Sequence, residues 1–551
     1  MQKTCPNCQA SFEVTDKDRN FYKKFEVPEP TFCPDCRQQR RIIFRNDQNY
    51  YKRQCKMCRK EIISIYSPDK PFPVFCKDCF WSDKYDPLKY GQDFDFNRPF
   101  LEQFEEMRSK VPRIAIFNTQ SENADYTVHS SKNRNCYMGS SFVENEDCYY
   151  GDWVWHSKDS VDNDMCQRLE KCYFCTGCDD CYNSSYLDNC MNMNFSYLCF
   201  DCRGSNNLIG CVSLRKKEYM ILNKPASRKD FQQTLDKLHH DTNFRKNFQK
   251  KYKALKLHIP VKYFWEKNSE NCTGNYIVNS KNAHHSYNVT NVEDVRYLYE
   301  SGEGKDIMDA MRVAGAEMCY EIAAIVNLKF GKFSNLCYQS SNLEYCDNCQ
   351  SSHDSFGCMS LKNNRYCILN KQYSKEEYEK TMKRIKEHME KTGEYGEFFP
   401  MSLSPYGYNE TKAQEFFPLT REQALAKGFK WKDTDLKNHR KQTCKIPKNI
   451  ADVPDNITKE ILACTAQDNA GQPCGRNYKI IPQELKFYRA QNLPIPEKCP
   501  NCRHKERATL QNPHKLYART CAKCAAPLQT TYAPDRPEIV YCGKCYLETI
   551  Y

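Results

Sequence analysis

The sequence lacks any run of about twenty apolar residues, so no segment of it has the makings of a membrane-crossing helix. Its opening stretch, MQKTCPNCQASFEV, lacks the apolar core of a secretory signal, which predicts a reduced, cytoplasmic setting with no membrane partner. Catalytic punctuation is missing as well. There is no HExxH, no phosphate-cradling GxxxxGK, no dinucleotide GxGxxG and no GxSxG elbow, and SGEGKD at 301–306 is too short to stand as a phosphate loop. The aliphatic content is modest, with a mean hydropathy of −0.83. Yet 40% hydrophobic and 13% aromatic residues exclude wholesale disorder. A length of 551 residues is too much for one core and predicts several domains.

What the chain has in abundance is cysteine, 35 residues of it, and without a secretory signal these argue for metal rather than disulfides. The formal charge of +12 is unevenly spread. Residues 1–82 hold 16 Lys/Arg against 10 Asp/Glu and residues 464–551 hold 13 against 7, whereas residues 120–223 hold 9 against 15. Basic ends therefore flank an acidic segment.

Two internal duplications organise the chain. Adding 466 carries Cys8, Cys33, Cys36, Cys55, Cys58, Cys76 and Cys79 onto Cys474, Cys499, Cys502, Cys521, Cys524, Cys542 and Cys545, and carries Arg37, Arg41 and Arg53 onto Arg503, Arg507 and Arg519. Adding 147 carries Cys172-Tyr173, Cys190, Cys199, Cys202 and Cys211 onto Cys319-Tyr320, Cys337, Cys346, Cys349 and Cys358, and MILNK (220–224) onto CILNK (367–371). Each middle copy is followed by a predicted helix. One starts near Ser227 and runs through FQQTLDKLHHDTNFRKNFQKKYKAL, and the other starts at Ser374 with Glu377 in capping-box position.

Within the middle copies cysteines recur at nine and twelve residues beside aromatics and Asn-rich turns, which suggests a parallel β-solenoid with about eighteen to twenty-one residues per coil. The fold class expected is mostly β: duplicated parallel β-solenoid-like repeat domains with intervening helices, flanked at both ends by double zinc ribbons. The expected divisions are ribbons at 1–83, a linker with a helix at 84–119, repeat copies at 120–224 and 263–371, helices at 225–262 and 372–393, a linker at 394–455 and ribbons at 456–551.

Structural zinc needs four soft ligands in a tetrahedron, and a CxxC turn turns two sulfurs to one side. Cys55, Cys58, Cys76 and Cys79 pair two such turns, with IISIYSPDKPFPVF read as a hairpin-like stretch between them. Cys521, Cys524, Cys542 and Cys545 repeat the spacing. Cys5, Cys8, Cys33 and Cys36 make a third set. The fourth holds Cys474, Cys499 and Cys502 but has Gly471 where Cys5 would map, so Cys464 is the nearest candidate for the missing sulfur. About four Zn2+ ions are expected, with a cross-braced pairing as the alternative arrangement. The central run Cys172, Cys175, Cys178, Cys181 has near-ferredoxin spacing, but regular recurrence favours packing over a cluster.

Arg37, Arg40, Arg41, Arg45 and Arg53 lie among Phe44, Tyr50 and Tyr51, and Arg503, Arg507 and Arg519 follow in the second copy. Cations interleaved with rings suit RNA or DNA, and the same arginines also suit bracing of the ribbon; the two readings stand level. The helix around Arg245, Lys246, Lys250, Lys251, Lys253 and Lys256 reads as a solvated face, and His239/His240 and His284/His285 as surface residues.

The stretches FCPDCRQQRR, IYSPDKPFPVFCKDC, FDFNRPFLEQF, GCMSLKNNRYCILNKQYSKEEYE, YNETKAQEFFPLT and YKIIPQELKFYRAQNLPIPEKCPNCRHKER through TTYAPDRPEIVYCGKCY cover nearly the whole chain. As a set they resemble an uncharacterised family of zinc-ribbon proteins abundant in small-genome bacteria of the candidate phyla radiation. That resemblance implies zinc at both ends and no particular activity. The function expected is a non-enzymatic zinc scaffold that binds nucleic acid through its basic ribbon faces. The alternatives are a platform for protein partners, or an enzyme with an active groove on the solenoid, which clustered buried carboxylates would favour.

Overall fold

The structure, a computed structural model, describes residues 1–314, 316–317, 320–326, 330–433, 440–467 and 474–551. Cys319 and Gly471, which the two shifts place opposite Cys172 and Cys5, lie outside the described residues. Strand outweighs helix, and most of the strand belongs to parallel ladders. Residues 127–225 form a twelve-stranded sheet, and residues 266–338 a nine-stranded one that is followed by a four-stranded sheet over 341–372. Among the described residues no helix is long and apolar enough to cross a membrane.

The register corrects the expected spacing. Partners lie twelve residues apart, as in Asp179↔Met191 and Met191↔Arg203, or Ser341↔His353 and His353↔Arg365. The reason lies in the backbone: between Asn135 and Leu222 nearly every third residue has φ near +50°, including Asp180, Asn183, Tyr186, Asn189 and Asn192. Each such residue turns the chain, so straight segments are only two residues long and four turns fit one twelve-residue step. Asn and Asp tolerate this left-handed conformation better than other non-glycine residues, which accounts for their density here.

The same triplet period builds the core. Cys166, Leu169, Cys172, Cys175, Cys178 and Cys181 follow one another at intervals of three and pack in a single buried cluster. In the second ladder Val289, Val292, Val295 and Leu298 do the same, followed by Cys346 and Cys349. The nine- and twelve-residue cysteine intervals are multiples of this three. MILNK and CILNK are the closing turns of the two ladders. Met220↔Pro225 and Cys367↔Gln372 pair antiparallel, with Leu222-Asn223 and Leu369-Asn370 at positive φ between them. Asn223 caps Val212 through both its carbonyl and its amide, and Asn370 does the same for Met359.

After the first ladder come two helices, Arg228–His240 and Thr242–His258, rather than the single helix expected. Asp241 breaks the run because its carboxylate accepts from the N–H groups of Asn243 and Phe244 and starts the second helix. Lys375–Thr392 begins with the predicted capping box of Ser374 and Glu377.

The ribbons pack crosswise: the N-terminal pair lies on the second ladder and the C-terminal pair on the first. Tyr22 meets Tyr320 at 5.2 Å between ring centroids, and Tyr488 meets Tyr173 at 5.7 Å. Tyr85 donates to the Ser360 carbonyl, and Tyr546 bonds Asp201 and Ser213. Val261 pairs in parallel with Val540 and so ties the C-terminal ribbon to the segment between the ladders.

Candidate metal centres and an interior chamber

The sixteen terminal cysteines gather into four groups: Cys5/Cys8/Cys33/Cys36, Cys55/Cys58/Cys76/Cys79, Cys464/Cys474/Cys499/Cys502 and Cys521/Cys524/Cys542/Cys545, with all sulfurs of a group within 4.8 Å of one another. Neighbouring turns pair with each other, so the cross-braced alternative falls away. The construction is local. Tyr51–Gln54 and Glu61–Ser64 form an antiparallel hairpin whose tip is the first CxxC turn, and Lys77–Trp81 begins at Cys76 and carries the second. The stretch between the turns is therefore not one hairpin. Its first strand pairs backward with residues 51–54, and its second, Val74–Phe75, pairs with Arg113–Ile114.

The sulfurs stand 3.8 Å apart for Cys58–Cys76 and for Cys524–Cys542, 3.6 Å for Cys8–Cys33 and 4.0 Å for Cys474–Cys499. A tetrahedron with metal–sulfur bonds of about 2.3 Å has edges of about 3.8 Å, so the four groups have the size of tetrathiolate metal sites. Disulfides, at about 2.05 Å, are excluded. Backbone N–H groups point at the sulfurs: Cys76 to Cys55 at 3.3 Å, Cys542 to Cys521 at 3.2 Å and Cys499 to Cys464 at 3.3 Å. Burial opposes ionisation, yet backbone donors of this kind, at Cys5 those of Cys33, Cys8 and Asn7, bring Cys5 and Cys55 down to about 7 and Cys521 down to about 6. Cys464, chosen from the sequence only by nearness, completes the group whose other members are Cys474, Cys499 and Cys502.

The central cysteines are built differently. Cys178 donates to the carbonyls of Thr176 and Leu187, and Cys346 to those of Glu344 and Ser355, so these sulfurs are hydrogen-bonded within the ladder. Burial pushes Cys337, Cys346 and Cys349 well above the ordinary thiol range. Among the described residues they form no metal-holding group.

The arginines expected to face nucleic acid point inward, which corrects that expectation. Arg37, Arg40, Arg41, Arg45, Arg503 and Arg507 are each no more than 3% exposed. Arg37 and Arg41 ion-pair with Asp309, Arg40 with Glu321 and Glu397, and Arg45 with Asp47. Arg503 ion-pairs with Asp162 and Glu484, and Arg507 with Asp162 and Asp164. Arg53 and Arg519 are half-buried and donate to carbonyls of their own ribbons. A buried guanidinium needs a buried carboxylate, and the acidic ladders supply it.

Where ribbons, ladders and the 394–455 segment meet, they line a partly open chamber of about 440 Å³ that sequence reasoning missed. Asp152 and Asp164 come from the first ladder, Glu300 from the second, Lys412 and Glu415 from the connecting segment, and His504 and His514 from the C-terminal ribbons. Arg312 reaches across from the second ladder to clamp Asp152 at 2.8 and 2.9 Å, and Lys412 adds a third bond to Asp152 at 2.6 Å. Burial alone would raise Asp152, but these two cations hold it well below the usual carboxylate range.

His504 lies between Asp164 and Glu415, at 3.0 and 3.1 Å. Burial works against its charge, but the two carboxylates push it up to about 10. His514 stacks on Phe416 at 4.5 Å between centroids, and burial together with Lys412 brings it down to about 3. Gln38, the counterpart of His504 under the 466 shift, also lines the chamber; it is 1% exposed and its side-chain amide lies 3.3 Å from His514 Nδ1. The other paired histidines divide: His240 and His285 are exposed, and His239 and His284 are half-buried. Compared with known proteins, the chain matches no family model and no curated protein.

Proposed function

We propose that the protein is a zinc-clamped scaffold, built from a duplicated twelve-residue parallel β-solenoid, whose four structural zinc ions lock the ribbons around a chamber that binds a small polar molecule. Cysteine-only sets suit zinc, and four protein sulfurs leave no open coordination position for chemistry on the metal. The ions would fix the ribbon helices, and those helices carry the arginines into the ladders.

The observation that carries the chamber reading is that five separated segments of the chain converge on its wall and bring carboxylates, Lys412 and two histidines together there. A small ligand with a flat apolar side would pack on Phe416 among these polar groups. The volume lies in the range of small-molecule sites, about 300–1,000 Å³. The buried carboxylates clustered at the chamber speak for an enzyme, but each is already ion-paired, Asp152 and Glu300 with Arg312 and Asp164 and Glu415 with His504, and His514 is held near 3, so binding is favoured over acid–base catalysis. The test is ligand-observed NMR on the zinc-loaded chain with a mixture of amino acids, nucleosides, organic acids and sugars. A binder lost in Gln38→Leu and in His514→Phe supports the reading, and a mixture with no binder refutes it.

A second reading keeps a polyanionic partner, RNA or DNA, but moves it to the helix Thr242–His258. Lys246, Lys250, Lys251 and Lys253 are exposed there, and among the described residues none of them is ion-paired. Salt-sensitive RNA retention that disappears when these four lysines become Glu would support it.

A further inference from the structure

Three of the four cysteine groups open on a tight turn, and the fourth does not. Gln9, Arg59 and Ala525 have φ of 60°, 63° and 58°, and each returns its N–H to the carbonyl of the cysteine four residues before it, Cys5, Cys55 or Cys521, at 2.9 Å. That turn holds its two sulfurs together before any ion arrives. The 466 shift places Gly475, φ 66°, opposite Gln9, so the turning position survives in the remaining group. Its first ligand, however, is Cys464, which stands ten positions before Cys474 instead of three. Cys464 is brought in from outside the turn: its N–H donates to the Arg476 carbonyl at 3.0 Å, and Leu462–Ala463 pairs antiparallel with Asn477–Tyr478. The sulfur edges are uneven as well, 3.4 Å from Cys474 to Cys502 and 4.0 Å from Cys474 to Cys499. Closing a link of ten residues rather than three lowers the effective concentration of the second sulfur roughly sixfold, so this group holds its ion least firmly.

The same group seats one wall of the chamber. Helix Pro500–Ala508 starts from Cys499 and contains Cys502, so two of the four sulfurs fix its first turn. From that helix Arg503 reaches Asp162 and Glu484, His504 reaches Asp164 and Glu415, and Arg507 reaches Asp162 and Asp164. Buried ion pairs give little net hold, because desolvation offsets their attraction, so the ion carries much of the hold on the helix. His504 and Ala508 line the chamber.

We infer that the ion of the Cys464 group is the exchangeable one of the four, and that its departure frees helix Pro500–Ala508, withdraws His504 from Asp164 and Glu415 and opens the chamber. Access to the chamber is then set by available zinc. The inference rests on the zinc-clamped chamber proposed above and adds its regulation.

The test is a zinc-release course on the intact, reduced, zinc-loaded protein in excess EDTA, followed by metal count, by hydrogen exchange along the chain and by diethyl pyrocarbonate labelling of His504. One ion is expected to leave roughly sixfold or more ahead of the other three. Protection over 500–508 and shielding of His504 go with it, residues 34–42 stay protected, and added zinc restores both. Cys464→Ala starts with three ions, lacks the fast step and has His504 labelled from the outset, whereas Cys524→Ser also starts with three but keeps the fast step. Ions leaving together, a fast ion that leaves 500–508 protected or His504 shielded, or a fast step that survives Cys464→Ala would overturn the inference while the four-zinc reading stands. A wild-type count below four at the start would refute that reading and the inference with it.

Discussion

Arg37 donates its Nε–H to Asp309 at 2.9 Å, both side chains almost fully buried, and thereby joins the N-terminal ribbon to the second ladder. The counterpart contact joins Arg503 to Asp162 at 2.7 Å. Arg503 is Arg37 shifted by 466, and Asp309 is Asp162 shifted by 147. Arg37 also lies over Tyr297 and Arg503 over Tyr150, again 147 apart. Each ribbon thus reaches the ladder farther from it in the sequence.

Removing one partner of such a pair leaves a buried charge alone. Asp162→Asn is predicted to cost about 3–5 kcal/mol and to loosen the C-terminal ribbons while the N-terminal ones stay protected, because Arg503 and Arg507 both lean on that carboxylate. Hydrogen exchange mapped along the chain checks it. Protection unchanged over 500–508 contradicts it.

Cys58→Ser is predicted to lose one metal ion and to unfold one ribbon while both ladders persist, since short ribbons have little core of their own. Metal analysis paired with exchange over residues 51–81 checks this. An undiminished metal count is the contrary result.

The central thiols separate from the terminal ones in the opposite way. Cys178→Ala is predicted to lower the melting temperature, because it removes two hydrogen bonds inside the first ladder, and to leave the metal count unchanged. A lost ion, or visible absorbance from an iron–sulfur cluster in the wild type, would reverse the assignment of these cysteines to packing.

Acid sensitivity follows from His129. Burial, with Arg45 beside it, brings its pKa from 6.5 down to about 3, so the folded protein keeps it neutral while the unfolded chain protonates it. The folded pKa lies below the unfolded one. Stability is therefore complete above about pH 6.5 and falls as pH drops from there toward 3, by up to about 1.4 kcal/mol per unit from this group. His129→Asn should flatten the slope of stability against pH between 6 and 4; an equally steep slope in the variant contradicts the account.

Much of this was legible in the chain. The CxxC turns announce themselves because both sulfurs are local, and even Cys464 could be found by nearness. The triplet was not read, although nine and twelve share it, because its turning position accepts Asn, Tyr, Trp and Lys alike. The arginines misled for a different reason. Their partners are remote, 272 residues from Arg37 to Asp309 and 345 from Arg507 to Asp162, so a run of charge looked solvated. The signal was present in the paired shifts, which repeat a cation in the ribbons and an anion in the ladders. The chamber had no sequence signature, since its walls come from five separated segments.

Metal content and ligand type, read together on the intact reduced protein by elemental analysis and zinc-edge X-ray absorption, probe the foundation most directly. Four zinc ions per chain, each in an all-sulfur shell at about 2.3 Å, is the predicted result. Fewer ions, nitrogen or oxygen in the shell, or sulfur–sulfur bonds at the terminal cysteines would contradict it.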